Sequence, residues 1–265
     1  VEQVIIAESA VEMLMPIEIG DYTDFYSSKE HATNVGTMFR DPNNALLPNW
    51  LHIPVGYHGR SSSVIPSGQD IHRPKGQTKP NEDQGPVFGP SKMIDFELEM
   101  AFVTFDGKPL GDSISTAEAE DYIFGLVLFN DWSARDLQRE EMPMSLGPAK
   151  GKDFASSFGP YMVTPDEIDE HWDEKGKLNL RMTCHINGKL ISDGNTNDLY
   201  HSFGDMIERA SMNTKLVPGE YIGSGTVGTG CILELRPENT GGWIEKGDTI
   251  KLEVEKLGVL ENKII

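Results

Sequence analysis

Met93-Ile94-Asp95-Phe96-Glu97-Leu98-Glu99-Met100-Ala101-Phe102-Val103 alternates acidic and apolar residues and then turns wholly apolar. A period of two marks a strand, because successive side chains of an extended chain point to opposite faces. Glu97 and Glu99 therefore project from one face while Phe96, Leu98 and Met100 pack behind it. Carboxylates two residues apart on one pleat stand about 6 to 7 Å from each other. If that face is enclosed they need a cation, or one of them must keep a proton. A bound metal is the simplest answer. Taken alone, the alternation equally describes a half-exposed strand with its acids in water, which is the commoner case, so the rest of the chain has to decide.

Working outward, Asp106-Gly107 predicts a hairpin turn that closes the strand. A short helix over 116–122 leads into 123–129, apolar on both faces and so a buried strand. That strand ends in Asn130-Asp131-Trp132-Ser133-Ala134-Arg135-Asp136-Leu137-Gln138, an abrupt change from core to dense polar chemistry. Arg135 and Gln138, three apart at a helix start, share one face near Asp131, where they could hold an oxyanion or form an ordinary surface pair.

Upstream, Ser27 and Glu30 have capping-box spacing, which places Asp24 and Tyr26 just before a helix and His31 in its first turn. Residues 40–92 are rich in Pro and Gly, with short extended pieces such as 50–55 and no helical periodicity; a loop region this long inside one domain is usually functional. Downstream, 178–186 and 189–192 flank Asn187-Gly188, the strongest hairpin signal in the chain. Leu199, Phe203, Met206, Ile207 and Ala210 have helical spacing, and 231–235, 243–244 and 249–255 read as strands, the last two around a turn at 246–248. No repeat or linker divides the chain. The pattern is that of an α+β domain, mainly β, with a few helices packed outside.

The 265 residues can bury a sizeable core, and 38% hydrophobic with 25% charged residues is a globular composition. A formal net charge of -19 and a pI near 4.7 exclude nucleic acid and anionic membrane as natural partners, so an anionic substrate would need a local cluster of Arg, Lys or metal. Cys184 and Cys231 form no Cys-x-x-Cys pair, which argues against both a zinc site and a disulfide framework and suits a reducing compartment. No apolar run reaches bilayer length and no signal-peptide pattern opens the chain, so a soluble, cytoplasmic protein is expected. The start at Val1-Glu2-Gln3-Val4-Ile5-Ile6, without methionine, suggests trimming from a longer product.

Gly223-Ser224-Gly225-Thr226-Val227-Gly228 matches a dinucleotide fingerprint, but that motif requires a helix to open directly after it. With a strand expected at 231–235, it reads instead as a glycine loop whose backbone can approach a ligand closely. Glu234 is the odd residue of that expected strand. Buried, it would have a raised pKa unless a partner such as an imidazolium held it ionised, and a Glu-His pair can make water a nucleophile; an edge glutamate facing solvent fits the local sequence as well. None of His52, His58, His72, His171, His185 and His201 forms a pair at helical metal spacing. Asp24, Glu97, Glu99 and Asp131 would offer only hard oxygen ligands, suited to Mg²⁺, Ca²⁺ or Mn²⁺ rather than zinc.

Asp21-Tyr22-Thr23-Asp24-Phe25-Tyr26, His31, Pro54-Val55-Gly56-Tyr57-His58-Gly59-Arg60, Phe96-Glu97-Leu98-Glu99, Asn130 to Asp136 and Gly223-Ser224-Gly225-Thr226 together closely resemble the fumarylacetoacetase (fumarylacetoacetate hydrolase) family, from about Asp21 to the last strands. The Phe-Glu-Leu-Glu and Asn-Asp motifs are shared with a wider superfamily of acylpyruvate hydrolases, decarboxylases and hydratases; the first segments are particular to fumarylacetoacetases. The resemblance implies a mixed β-sheet roll or sandwich with peripheral helices, a lead-in over 1–20, a catalytic domain over 21–265 and a homodimer. It implies metal-dependent hydrolysis of a carbon-carbon bond in a diketo acid, giving fumarate and acetoacetate in tyrosine and phenylalanine catabolism. By resemblance Asp24, Glu97, Glu99 and Asp131 hold the divalent ion, Mg²⁺ or Ca²⁺ with Mn²⁺ possible, and Lys152 and Ser156 lie in the segment completing a cation site. His31 and Glu234 match the water-activating dyad. Arg135, Gln138 and Lys152 match groups around the oxyanion, and Tyr26, Arg40, Tyr57, Gln138 and Thr226 match substrate contacts. Ser156 stands where the family usually has Thr, and 140–144 lacks an expected substrate-contacting tyrosine. Two other expectations are weighed against this one: another superfamily activity, an acylpyruvate hydrolase or oxaloacetate decarboxylase, and a non-catalytic, metal-stabilised binding domain in which His31 and Glu234 would lie far apart.

Overall fold

A computed structural model describes residues 5–7, 10–81 and 83–265. The acidic alternation is extended but runs as two strands, Ile94–Asp95 and Leu98–Thr104. Between them the Glu97 amide leaves the ladder and donates to Asn130 Oδ1 at 2.9 Å. The predicted facing survives the break. Phe96, Leu98, Met100 and Phe102 enter the main core with 0% exposure, whereas Ala101 and Val103, in phase with Glu97 and Glu99, join a second apolar cluster on the other face. Each fully buried side chain of this size contributes about 1.5–3 kcal/mol, enough to set the register against a one-residue slip that would carry the acids into the core.

Leu98–Thr104 pairs antiparallel with Ile123–Asn130, the central strands of a seven-stranded mixed sheet. Its order is Gly56–His58, Tyr22–Phe25, Tyr221–Gly223, Leu98–Thr104, Ile123–Asn130, Ser156–Val163 and Val64–Pro66. The pairs Tyr22–Phe25 with Tyr221–Gly223 and Ser156–Val163 with Val64–Pro66 are parallel, the others antiparallel. A second sheet runs Lys189–Asn195, Arg181–Ile186, Thr249–Val254 and Gly258–Lys263. Met182, Cys184, Ile250, Leu252 and Leu260 from it meet Leu98, Met100, Leu126 and Leu128 in one core, with Phe203, Met206 and Ile207 of helix Phe203–Ser211 closing it. This is the expected α+β, mainly β architecture. On the outer face, Met15, Ile17 and Ile19 of the lead-in cover the second cluster.

Several local expectations hold. Asn187 and Gly188 have φ of 50° and 80°, the paired positive values of the tight turn that joins twisted antiparallel strands. Helix Phe203–Ser211 starts at Ser202 with a capping box to Asp205. Others change. Asp106-Gly107 makes no hairpin: the Gly107 amide donates to the Asp106 side chain, and a long connection with a 3-10 helix at Thr116–Tyr122 returns the chain to its neighbour. Helix Lys29–Phe39 is capped by Ser28, not Ser27, because the Ser28 hydroxyl receives the His31 amide at 3.2 Å. Residues 50–55 are not extended as a whole; a 3-10 turn at Pro48–Leu51 lets the Trp50 indole donate to the Tyr26 carbonyl at 3.1 Å. Of 243–244, only an isolated bridge from Ile244 to Ile94 forms. The largest correction is at 231–235: Ile232–Leu235 is one turn of helix. The Asp95 carboxylate accepts the amides of Ile232 at 2.7 Å and Leu233 at 2.9 Å, an anionic cap from a distant strand.

Both cysteines are free and buried. Among the described residues no helix is long and apolar enough to cross a membrane.

Candidate active site

The capped turn at Ile232–Leu235 aims Glu234 at the first turn of helix Lys29–Phe39. Glu234 Oε2 lies 2.7 Å from His31 Nδ1, and Oε1 accepts from Asn34 Nδ2 at 2.7 Å and the Thr229 amide at 2.8 Å. Burial opposes the Glu234 charge, but the His31, Asn34 and Thr229 hydrogen bonds outweigh it and hold the carboxyl below its ordinary range. A carboxylate on Nδ1 fixes the proton there and leaves the Nε2 lone pair free. Tyr26 packs edge-on against the imidazole, ring centres 5.2 Å apart.

The sheet supplies the second half. Asp24 lies in the strand Tyr22–Phe25, Glu99 lies in Leu98–Thr104 and Asp131 follows Ile123–Asn130. Carboxylate oxygens of the three lie within 4.8 Å of one another, and all three residues are buried. Burial, reinforced by the neighbouring Asp131 charge, pushes the Asp24 carboxyl well up; burial and the Asp24 charge do the same to Glu99, and burial raises Asp131. Glu97 goes the other way. Burial disfavours its charge, but Lys152 and Arg135 overcome that and lower its pKa. Lys152 Nζ stands 2.6 Å from both Glu97 Oε2 and Asp131 Oδ2. Arg135 reaches Glu97 Oε1 through Nη1 at 2.8 Å and Asp95 Oδ2 through Nε at 2.9 Å, and its Nη1 also donates to Gln138 Oε1 at 3.0 Å.

The glycine loop fits around this cluster. The Gly225 amide donates to Glu99 Oε2 at 3.0 Å, and the Thr226 hydroxyl is 3.4 Å from Oε1. A Cβ on Gly223 would sit 2.5 Å from Asp24 Oδ1, and one on Gly225, whose φ is +80°, would sit 2.2 Å from the Phe25 carbonyl. Only glycine permits that approach. Because 231–235 is helical, the reason for setting aside a nucleotide site changes. The Ser224, Gly225, Val227 and Thr229 amides are spent on Met100 O, Glu99, Leu98 O and Glu234, leaving none of these four for a phosphate.

Three hard carboxylates packed this tightly suit a divalent ion. Asp24 Oδ1 and Asp131 Oδ1 are buried with no protein partner, which is the chemistry a cation would satisfy. The structure brings together Asp24, Glu97, Glu99, Asp131, Arg135, Gln138, Lys152, Tyr57 and Thr226 as expected, with His31, Glu234 and Tyr26 beside them. Two expectations change. Arg40 is exposed, its Nη1 donating to the Ala45 carbonyl at 2.8 Å, so it contacts none of these groups. Lys152 enters as an ammonium: burial disfavours its charge, but Asp131 and Glu97 win and raise its pKa, so its side chain neutralises the cluster and has no lone pair for a cation. Ser156 is buried in the strand Ser156–Val163, level with Val64.

Other residues matter that the sequence reading passed over. Asp95 belongs to the same alternation as Glu97 and Glu99, a signal in plain view. Asn34 sits three residues after His31, on the same helix face. The Tyr22 hydroxyl donates to Asp24 and the Tyr57 hydroxyl to Asp131, and burial pushes both phenols up, so they stay donors.

A curled mixed sheet thus encloses a cluster of oxygen ligands able to hold a cation, beside a hydrogen-bonded His-Glu pair. The model of the fumarylacetoacetate hydrolase C-terminal family matches residues 21–265. The chain belongs to that family. It is 41% identical over 263 residues to the fumarylacetoacetase of Homo sapiens, covering 91% of this chain and 61% of that protein. It is 40% identical to that of Arabidopsis thaliana over 280 residues, 91% of this chain and 66% of that one. The chain thus spans about six to seven tenths of these relatives. Among solved structures, fumarylpyruvate hydrolase from Pseudomonas aeruginosa, in complex with Mn²⁺ and pyruvate, shares the fold with a TM-score of 0.67 at 18% identity, over 99% of this chain and 98% of that one.

Proposed function

We propose that this chain is the catalytic part of a fumarylacetoacetase, hydrolysing 4-fumarylacetoacetate to fumarate and acetoacetate with a divalent ion at Asp24, Glu99, Asp131 and Glu97. The observation that carries the reading is the hydrogen-bonded His31–Glu234 pair, 2.7 Å apart, beside a buried cluster of oxygen ligands. The relatives' activity supports the substrate. Residues 21–265 would form the catalytic unit and 1–20 its lead-in, of which 1–4 and 8–9 lie outside the described residues. Mg²⁺ or Ca²⁺ is the resident ion on this reading, with Mn²⁺ able to replace it.

When bound, the ion supplies Lewis acidity, lowering the cost of negative charge on the diketone oxygens. The chain does the rest. Glu234, held by Asn34 and the Thr229 amide, keeps the His31 proton on Nδ1, so Nε2 takes a proton from water as the oxygen attacks the carbonyl next to the fumaryl group. The carbon-carbon bond to the acetoacetate carbon then breaks, its electron pair passing to that fragment as the enolate, which takes up a proton to give acetoacetate. Arg135 Nη2 is buried without a protein partner, and the Gln138 amide has its nitrogen free of the Arg135 bond; both would donate to the developing oxyanion, where one donor is worth about 10² to 10³ in rate. Lys152 balances Glu97 and Asp131. Tyr26, Tyr57 and Thr226 border the substrate.

A panel of substrates tests the assignment. Fumarylacetoacetate should be turned over well ahead of acylpyruvates and oxaloacetate; preference for a small 2-oxo acid would move the chain to another superfamily activity. The binding-domain alternative requires His31 and Glu234 to be apart, and they are paired. A homodimer, implied by family membership, is checked by light scattering on the purified chain.

A further inference from the structure

We propose that His31, Cys231 and Glu234 form a second metal site, one that takes a borderline-soft ion such as Zn²⁺ and, when filled, shuts off the dyad. The His31 ring nitrogen, Cys231 sulfur and Glu234 carboxylate oxygen lie within 4.8 Å of one another. Cys231 is fully buried and unpaired, and His31 is 3% exposed. Imidazole, thiolate and carboxylate are the ligand types zinc selects, and three protein ligands plus one open position is a recurrent zinc arrangement.

The neighbouring carboxylate cluster offers oxygen only, so ligand softness separates the two sites: Mg²⁺ and Ca²⁺ prefer the carboxylates, while an ion that favours sulfur and imidazole prefers the dyad side. Cys231 precedes the turn Ile232–Leu235 that the Asp95 carboxylate anchors, so the backbone presents sulfur and Glu234 together on one rigid element. Ligands bound at about 2.0 to 2.3 Å in a tetrahedron stand roughly 3.3 to 3.7 Å apart, so the 2.7 Å His31–Glu234 contact opens modestly as the ion enters. On binding, the thiol proton passes to solvent and the imidazole proton moves from Nδ1 to Nε2, so that sulfur, Nδ1 and carboxylate oxygen lone pairs fill the coordination sphere. The His31–Glu234 hydrogen bond is replaced by bonds to the ion, and His31 loses its role as base. The cysteine spacing argues against a zinc site of the Cys-x-x-Cys kind; this one would draw its sulfur from Cys231 alone, which the fold places beside a histidine and a glutamate.

The binding half of the proposal is independent of the substrate reading, whereas the inhibition half rests on it; the test therefore begins with binding. The purified chain, saturated with Mg²⁺, is titrated with CoCl₂ and then ZnCl₂. Cobalt should develop a thiolate charge-transfer absorption that zinc abolishes, and this band should be missing in Cys231→Ser and Cys231→Ala but present in Cys184→Ser. Zinc should inhibit turnover, with the half-inhibiting concentration raised by roughly 10-fold or more in the Cys231 variants, since even outer-shell changes cost about 10- to 100-fold in affinity. The proposal is overturned if wild type gives no thiolate band, if the band survives in both Cys231 variants, or if zinc inhibits these variants as it does wild type, which would locate its action at the carboxylates.

Discussion

Replacing Glu234 by Gln probes the dyad with almost no change in volume. The carboxylate accepts three hydrogen bonds, from His31, Asn34 and the Thr229 amide. The Gln oxygen can keep the bonds to Asn34 and Thr229, which places its NH₂ against His31 Nδ1. Two donors cannot face each other, so the imidazole moves its proton to Nε2 and loses the lone pair needed to activate water. Loss of general-base catalysis typically costs about 10² to 10⁴ in kcat, equivalent to about 2.7 to 5.4 kcal/mol at 1.36 kcal/mol per decade. One charge-assisted hydrogen bond is also lost, about 1 to 3 kcal/mol of stability. Steady-state kinetics on the ion-saturated protein, with metal content measured on the same samples, should show kcat falling within that range, KM little altered and metal stoichiometry unchanged. A fall of less than about fivefold would leave no general base to explain. Loss of the bound ion instead would make Glu234 a ligand and refute the assignment.

Arg135→Ala removes the partner of two buried carboxylates, Asp95 and Glu97. It should cost about 3 to 5 kcal/mol of stability, seen in chemical denaturation, and both raise KM and lower kcat; an unchanged KM would remove Arg135 from the substrate's surroundings. Asp95→Asn should loosen the turn that carries Glu234 by about 0.5 to 2 kcal/mol and lower kcat although Asp95 is not placed against substrate, with Tm and kcat as readouts. Gly225→Ala, with its Cβ 2.2 Å from the Phe25 carbonyl, should lower both Tm and metal affinity, the latter by calorimetry. The raised carboxyls of Asp24, Glu99 and Asp131 mean that the metal-free fold holds protons the unfolded chain has released. That stability is fully present below the ordinary carboxylate range near pH 4 and is lost as pH rises through the raised values, at about 1.4 kcal/mol per pH unit for each titrating group. Glu97, lowered, contributes in the opposite sense as pH falls. Denaturation from pH 4 to 8 in EDTA should therefore show metal-free stability falling with pH, and added Mg²⁺ or Ca²⁺ should restore most of it at pH 8.

The features legible in the sequence are those whose cause is local. The alternation at 93–103 announces both faces of its strand because side-chain direction depends only on neighbours, and Asn187-Gly188 announces its turn because positive φ is a property of those residues. The helical turn at Ile232–Leu235 is not local: four apolar and acidic residues look like a strand until Asp95, 137 residues away, caps them. Ser28 rather than Ser27 caps its helix by one residue's difference in chain direction, which spacing alone does not resolve. The resemblance makes Arg40 a substrate contact; its guanidinium donates to the nearby Ala45 carbonyl, a local partner that spacing does not reveal. Asp95, by contrast, could have been read, since it shares the phase of Glu97 and Glu99 and an acid in that phase points to the same face.

The most direct test of the central claim follows the diketone absorbance of fumarylacetoacetate with the purified chain, first after EDTA treatment and then with Mg²⁺ or Ca²⁺ restored. The account predicts turnover that EDTA abolishes and the ion restores, with fumarate and acetoacetate as products. Turnover unaffected by removal of every divalent ion, or no turnover from a folded chain that retains its ion, would contradict it.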